Sequence, residues 1–336
     1  MFHRPPTNLE GNVLSIAQSI LRHYPLPEIR DVDYLGGAGG FSGAQIWKVT
    51  TSAQSFCLRR WPLAHPDRNR LDWINLVLVH ASSLNCPFVA TPIESNTGER
   101  YVHDNGFFWE VAPWMPGEAT FDRDPNDHRL ENVMSSLAKF HLASAQVSLG
   151  FQSSQNAATR LAALRDAGQL IEKLESADSK RTPQFVDQLR RIISSLGTDN
   201  AIRLADCLEP FVREVFPTQP VIRDVWHDHL LFQGNELTGL VDFGAMQMDN
   251  VALDLSRVLG SLAGNQVNRW SAALKTYSET RQLGSREIDF VFALDQVAPF
   301  LSGLNWLKWI LLERRSFESD EQVEKRIRFL IRRLAG

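Results

Sequence analysis

The feature that most limits the fold of this chain is the uneven distribution of its strand and helix patterns. Runs with strand character separated by turn residues occupy about the first 112 residues, where Gln45–Thr50 and Ser55–Trp61 predict an antiparallel hairpin. Beyond that point apolar residues recur at helical intervals, with one hairpin pattern as the main exception. The order predicts an α+β protein with a small antiparallel-sheet N-lobe, residues 1–112, and a larger mainly helical C-lobe, residues 113–336.

Most of the candidate catalytic and metal-binding side chains lie in this hairpin or just before it. Its predicted strands are Leu230–Phe232 and Leu237–Phe243, with a turn between them. Asp224 and His229 precede the first strand, and Asp242 lies near the end of the second. Because the turn joins the strands at one end of the hairpin, we expect these three side chains to converge at the other end.

The segment VIRDVWHDHLLFQGNELTGLVDFG, residues 221–244, resembles the catalytic loop and metal-binding hairpin of the aminoglycoside phosphotransferase and choline kinase family. In that family of small-molecule kinases the loop reads HGDxHxxN, and a D-F/W-G turn follows the hairpin. MSSLAKFH at 134–141 and NVALDL at 250–255 resemble two helices of the same family. The resemblance implies a protein-kinase-like bilobal fold, with a cleft between the lobes as the ligand site.

The resemblance also implies a role for each residue of the segment. Phosphoryl transfer requires a carboxylate that orients the acceptor hydroxyl and accepts its proton, which matches Asp224. Asp242 and His229 fall at the positions of the metal ligands, and Asp254 at that of an acid that braces the loop. The expected metal is Mg²⁺ or Mn²⁺. Because imidazole suits manganese or zinc better than magnesium, His229 either binds the metal selectively, contacts phosphate instead or marks lost activity.

The N-lobe residues follow the family order of a glycine turn, a strand, a helix and a connector. The resemblance implies that the glycine-rich turn with Gly39, Gly40 and Ser42 approaches the phosphates of ATP or another nucleoside triphosphate. Arg59 holds the position of the family's strand lysine, and Arg60 points to the opposite face. The remaining expected nucleotide contacts are a pairing acid at Asp72 and backbone groups at Glu110 and Ala112.

Two other functions remain open from the sequence. Arg59 in place of lysine, and the lack of a glutamate on the following helix, would also fit a kinase-fold protein that binds nucleotide or metabolite without catalysis. A metal hydrolase is the other alternative, since His227, Asp228, His229 and Asp242 are all of metal-ligand type. The sequence lacks the helical spacing of two histidines that is typical of zinc motifs, which argues against a hydrolase.

The acceptor is predicted only as a small molecule with a hydroxyl group. Trp306 and Trp309 lie three residues apart on one helix face, where they either bind a cationic acceptor or pack in the core. Asp122, Asp124 and Asp127 either attract an amine or lie in a solvated loop. Aminoglycoside-like, amino-alcohol, sugar and amino-acid acceptors all remain open.

Charge and cysteine content restrict the partners and the compartment. The formal net charge is -4 and basic residues are scattered, which argues against a nucleic-acid partner. The 3 cysteines lack metal-ligand spacing and fit reduced thiols, and no apolar run reaches membrane-spanning length. We therefore expect a cytoplasmic kinase, monomeric or homodimeric, that acts away from membranes.

Overall fold

The computed structural model describes residues 15–37, 43–178, 182–317 and 319–336. These residues form two compact units. The first contains the described residues up to Glu118 together with Leu230–Gly244, and the second contains Ala119–His229 and Ala245–Gly336.

The first unit is built on a five-stranded antiparallel sheet with the strand order β1-β2-β3-β5-β4. Its strands are β1 Ile29–Tyr34, β2 Gln45–Thr51, β3 Ser55–Arg60, β4 Val102–Asp104 and β5 Phe107–Pro113. Helix α1, whose described part is residues 15–21, packs Ile20 and Leu21 into a core with Trp47, Leu58 and Trp109. Helix α2, Arg68–Ser83, begins at Asp67, whose carboxylate accepts a hydrogen bond from the Arg70 amide.

The predicted hairpin forms as β8, Leu230–Gln233, paired antiparallel with β9, Glu236–Leu240. It belongs to the first unit, because the Glu118 amide bonds to the Phe232 carbonyl at 3.2 Å and the Leu240 amide bonds to the Phe88 carbonyl at 2.6 Å. The first unit therefore ends at Glu118 and takes in a hairpin that comes from within the predicted C-lobe range.

The second unit is mainly helical, with one small antiparallel sheet of order β10-β7-β6. The sheet consists of β6 Gly150–Gln152, β7 Phe216–Val221 and β10 Gln247–Asp249. The helices are α3 Asp127–Val147, α4 Gln155–Arg165, α5 Ala167–Ser176, α6 Gln184–Val212, α7 Ala252–Leu262, α8 Val267–Thr280, α9 Ser285–Leu307 and α10 Asp320–Leu334. Within the described ranges, no helix is both long enough and apolar enough to cross a membrane.

Candidate active site

The first candidate residue, Asp224, lies in the loop that follows β7 in the second unit. Its Oδ1 accepts hydrogen bonds from Arg257 Nη2 at 2.9 Å and Nε at 3.3 Å, while 44% of the side chain remains exposed. Burial opposes ionisation of this carboxyl group, but the positive charge of Arg257, with His229 and Arg326, outweighs it and lowers the pKa of Asp224. Asp224 is therefore an ionised carboxylate at neutral pH, as a proton acceptor has to be.

The loop backbone is fixed by a buried polar chain beneath it. Asp254 on α7 accepts hydrogen bonds from the backbone amides of Ile222 at 2.7 Å and Arg223 at 2.5 Å. The same carboxylate lies 3.0 Å from His141 Nε2, and His141 Nδ1 lies 2.7 Å from the Tyr277 hydroxyl. Because Asp254 is fully buried at 0% exposure, it holds the backbone just before Asp224 rigidly. The predicted bracing role of Asp254 is confirmed.

His229 uses its ring differently from the predicted metal ligand. Its Nδ1 lies 2.7 Å from the Asp224 carbonyl oxygen, an acceptor, so this nitrogen carries a proton. Its Nε2 accepts a hydrogen bond from Trp226 Nε1 at 3.1 Å. Both ring nitrogens therefore make contacts within the Asp224 loop, to the Asp224 carbonyl and to the Trp226 indole.

Asp242 follows β9 in the first unit, in the turn that the sequence predicts to bind metal. Its backbone is left-handed, with φ 65°, and its Oδ1 lies 3.1 Å from Arg59 Nη1. At Gly244 an added Cβ would meet Trp61 Cζ3 at 2.8 Å, and the Gly244 carbonyl lies 2.9 Å from His65 Nε2. The glycine thus allows the close approach that fixes the turn and its carboxylate.

The two adjacent arginines of β3 are separated by the alternation of a strand. Arg59 pairs with Asp242 and lies over the Trp61 ring at 4.7 Å, whereas Arg60 lies over the Phe107 ring at 4.3 Å. Arg59 is therefore the arginine on the side of the candidate metal-binding carboxylate.

The expected pairing acid on α2 is not Asp72. Asp72 lies on the exposed side of α2, with 53% of its side chain exposed, 3.9 Å from Arg68. One helical turn later Asn75 faces inward, and its amide donates to Glu110 at 3.0 Å. Glu110 lies directly across the ladder from Arg59, so the sheet supplies the buried acid that the helix lacks.

The backbone of Glu110 and Ala112 is also engaged differently from the prediction. Trp61 and Phe108 form a hydrogen-bonded pair at one end of the β3–β5 ladder, and Ser55 and Trp114 form one at the other. In an antiparallel ladder every second residue pair is hydrogen-bonded, so Glu110 is bonded to Arg59 and Ala112 to Cys57. The amides and carbonyls of Glu110 and Ala112 therefore point towards β3. These backbone groups are not available to an adenine ring.

The first backbone groups beyond this ladder belong to the connector Trp114–Gly117. The Pro116 carbonyl accepts a hydrogen bond from Thr238 Oγ1 at 2.6 Å. Gly117 has φ 94°, and a Cβ there would lie 2.7 Å from the Phe232 carbonyl oxygen. The glycine lets the connector pass close to β8.

The predicted glycine-turn contacts, Gly39, Gly40 and Ser42, lie outside the described residues. In the parts of the chain that are described, no three His, Cys, Asp or Glu side chains form a cluster able to hold a metal ion. His227, a candidate ligand of the hydrolase alternative, places Nδ1 2.8 Å from Ser261 Oγ. This arrangement does not favour a metal hydrolase built on protein ligands alone.

Glu110 leads to a prediction about pH and stability. Burial raises its pKa above the usual 4.5, although Asn75, Arg59 and Trp61 act in the opposite direction. The folded protein therefore holds this proton more tightly than the unfolded chain, so its contribution to the free energy of unfolding falls as pH rises from 4.5 through the raised pKa. The loss is about 1.4 kcal/mol for each unit of pKa increase.

Urea unfolding of the native protein and of Glu110→Gln across this pH range isolates the effect. The stability of Glu110→Gln relative to native should increase with pH. Glu94→Gln is the control for loss of a glutamate at the surface, since 59% of the Glu94 side chain is exposed. A flat curve for Glu110→Gln would contradict the raised pKa.

Comparison with known proteins identifies the family of the chain. The chain matches the phosphotransferase enzyme family over residues 34–295, which is most of its length, and it belongs to that family. It is accordingly a small-molecule kinase with an alcohol group as acceptor. The predicted membership of the aminoglycoside phosphotransferase family is confirmed.

Two relatives and two solved structures show how distant the similarity is. The chain is 25% identical over 229 residues to the homoserine kinase of Rhizobium rhizogenes, covering 66% of this chain and 64% of that protein. It is 26% identical over 278 residues to the homoserine kinase of Bradyrhizobium diazoefficiens, covering 80% and 76%. A spectinomycin phosphotransferase in complex with ADP and spectinomycin matches with a TM-score of 0.68 at 12% identity, covering 94% of this chain and 93% of that one. An aminoglycoside phosphotransferase from Alicyclobacillus acidocaldarius gives 0.65 at 18%, covering 95% and 94%. At such identities the structures confirm the predicted α+β, protein-kinase-like fold.

Sequence reasoning missed two arginines near Asp224. Arg257 follows Asp254 by three residues on α7, so once Asp254 is placed under the loop, helical spacing predicts that Arg257 lies on the same side. Arg326 on α10 is distant in sequence and carries no comparable signal.

Proposed function

We propose that the protein transfers the γ-phosphoryl group of ATP, or of another nucleoside triphosphate, to a hydroxyl group of a small molecule. The observation that carries this proposal is the Asp224 loop, which keeps a carboxylate partly exposed while Asp254 clamps the backbone beside it. A proton acceptor held in this way is what phosphoryl transfer asks of the protein.

In the proposed reaction the acceptor oxygen attacks the γ-phosphorus. The bond from that phosphorus to the β–γ bridging oxygen breaks, ADP leaves with the bond's electron pair, and the hydroxyl proton passes to Asp224. Asp224 also orients the hydroxyl before transfer. Since this transition state needs little covalent help from the protein, positioning and charge neutralisation provide most of the rate enhancement.

We assign the metal to Asp242 and the phosphate contact to Arg59. A carboxylate oxygen suits Mg²⁺ or Mn²⁺, and a metal ion held there would neutralise charge on the phosphates. The Arg59 guanidinium, fixed by Asp242 and next to Glu110, can fork onto phosphate oxygens. His229 fits the metal less well, and we propose that it positions Asp224 through the carbonyl of that residue.

For the base of the nucleotide we propose the connector after β5. The Trp114 amide donates to the Ser55 carbonyl, and the Trp114 carbonyl and the Met115 amide are the next acceptor and donor along the chain. We propose Gly39, Gly40 and Ser42 as further phosphate contacts on the family resemblance alone. The names of the two relatives make a hydroxy amino acid one of the acceptors to examine.

Nucleotide binding tests this proposal independently of the acceptor. At a concentration of Mg–ATP about a hundred times its Kd, the native protein should gain about 2.7 kcal/mol in free energy of unfolding. Asp242→Ala should lose most of that gain, and Asp104→Ala, an acid at the end of β4, should keep it. An equal gain in native protein and Asp242→Ala would contradict the assignment, and no gain in the native protein would contradict the proposed nucleotide.

A further inference from the structure

An unpaired cation lies close to Asp224. The Arg326 guanidinium of α10 is in contact with the Trp226 ring. Across the residues that the structure describes, it forms no hydrogen bond and no ion pair. A partly buried guanidinium without a hydrogen-bonded counter-ion is unfavourable, because it loses hydrogen bonds to water without replacing them.

Arg257 reaches the same aromatic ring from a second helix. Its guanidinium carbon lies 5.7 Å from the Trp226 ring centroid, and its Nη2 bonds to Asp224 Oδ1 at 2.9 Å. Trp226 thus carries two guanidinium groups, and one of them already binds a carboxylate.

The two guanidinium groups at this ring repel each other. Burial lowers the pKa of Arg326, and the neighbouring charge of Arg257 lowers it further, against the weaker effects of Asp224 and Asp228. Arg257 also acts on Arg160 of α4, whose pKa is lowered by burial and then by Arg223 and Arg257, against Asp249 and Asp295. Repulsion among these groups favours binding of an anion.

The three aspartates predicted as possible binding groups for an amine-bearing acceptor each form an ion pair. Asp122 lies 2.8 Å from Lys325 Nζ, and Asp124 lies 3.2 Å from Arg129 Nη2. Asp127 lies 2.7 Å from Arg269 Nε. Each carboxylate is therefore neutralised within its own unit, and none is left as an evident amine-binding charge.

The two tryptophans predicted as a possible binding site for a cationic acceptor contact other side chains of the protein. Trp306 is 8% exposed and packs edge-on against Trp309, with ring centroids 5.3 Å apart. The cation over the Trp309 ring is the chain's own Arg315, at 4.9 Å. The core-packing alternative fits this pair.

We infer that the acceptor is a hydroxy acid whose carboxylate binds to Arg326 and Arg257 over Trp226, with its hydroxyl at Asp224. This inference rests on the proposed function and specifies its acceptor. Asp224 binds Arg257, whereas no carboxylate in the described part of the chain lies within ion-pair distance of Arg326. A carboxylate bound there would give Arg326 a partner, and two arginines offer the paired N–H geometry that a carboxylate accepts. Binding at Arg326 then fixes the distance between the carboxylate and the hydroxyl, which selects acceptors by length.

The experiment compares acceptors that differ only at the carboxylate. ADP release with Mg–ATP is measured for L-homoserine, L-serine, L-threonine and 4-hydroxybutyrate, and for the primary amide of each. The cation 3-amino-1-propanol and the aminoglycoside spectinomycin complete the set. At least one acid should be phosphorylated, with kcat/KM about 10- to 100-fold above that of its amide, as expected for loss of a charged hydrogen bond.

Variants of α10 identify the residue responsible. Arg326→Gln should raise the KM of the preferred acid about 10- to 100-fold and leave the KM of ATP unchanged. Arg326→Lys should be intermediate, since it keeps the charge but loses the fork. Arg328→Gln is the matched control, because Arg328 lies two residues away and pairs with Glu324 at the surface, with 54% exposure.

The outcomes separate this inference from the proposed function. Equal or faster turnover of the amides or the cations, or an unchanged KM in Arg326→Gln, would overturn the carboxylate site while leaving a kinase. Turnover of no acid, in a protein that Mg–ATP still stabilises, would overturn it too. Failure of the proposed function would appear instead as a lack of Mg–ATP binding.

Discussion

Asp224→Asn should lower kcat for phosphoryl transfer by about 10²- to 10⁴-fold, the usual contribution of a positioned proton acceptor. An amide keeps the shape of the side chain but cannot take the hydroxyl proton, and it cannot balance Arg257 as a carboxylate does. The Kd of Mg–ATP should change little, since the nucleotide contacts proposed above all lie in the first unit.

The measurement combines a coupled assay of ADP release with calorimetric titration of Mg–ATP. Asp228→Asn is the matched control, because Asp228 lies in the same loop with 40% of its side chain exposed and is given no role in the reaction. An unchanged kcat in Asp224→Asn would remove Asp224 as the base, and an equal loss in Asp228→Asn would indicate a general disturbance of the loop.

Asp254→Ala should lower the free energy of unfolding of the second unit by about 3–5 kcal/mol, as expected when one member of a buried charged network is removed. Two backbone amides, of Ile222 and Arg223, and the His141 ring would lose their acceptor together. Burial already lowers the pKa of His141, although Asp254 opposes this, so without Asp254 the ring should remain neutral instead of becoming a buried cation.

Urea unfolding followed by tryptophan fluorescence measures this loss, and kcat should fall with it because the Asp224 loop is no longer held. Asp254→Asn, which keeps one carbonyl acceptor, should show a smaller loss and ensures a folded variant. Asp289→Ala is the control, since Asp289 on α9 is paired at the surface with 56% exposure. A loss below about 1 kcal/mol for Asp254→Ala would mean that the network contributes no more than an ordinary hydrogen bond.

The parts of the fold that the sequence predicts are those with local signals. The β2–β3 and β8–β9 hairpins have turn residues between runs of strand-forming side chains, and both form within a few residues of the predicted bounds. β1 was missed because it is an exposed edge strand without a clear apolar face. β7 was missed because Pro217 and Pro220 interrupt a buried strand, where proline is uncommon.

Helix ends were predicted too early where the chain tolerates a helix breaker. Gly197 is not such a place, because its φ of 62° and ψ of −166° are not helical and divide α6 into two helices. The predicted break between helices 182–196 and 201–215 is therefore confirmed. Two others, 285–299 and 302–314, are joined through Pro299 into α9, and a single wide turn at Lys308–Leu312 follows. At Pro299 tertiary packing outweighs the local cost of proline inside a helix.

The residues of the candidate site also differ in whether the sequence could predict them. Asp224, Asp242 and Asp254 lie in one stretch of about thirty residues, so spacing and hairpin logic were enough to select them. The pairing acid was not predictable, because Glu110 comes from a strand that the sequence places 51 residues after Arg59, on the other side of α2. Arg326 was not predictable either, since only the packing of α10 brings it to Trp226.

The most direct test of phosphoryl transfer is a ³¹P NMR time course of the native protein with ATP, Mg²⁺ and the hydroxy acids named above. The account predicts a new phosphate monoester resonance that grows at the same rate as ADP and is absent in Asp224→Asn. ADP formed with only inorganic phosphate, or an unchanged spectrum in a protein that binds Mg–ATP, would contradict it.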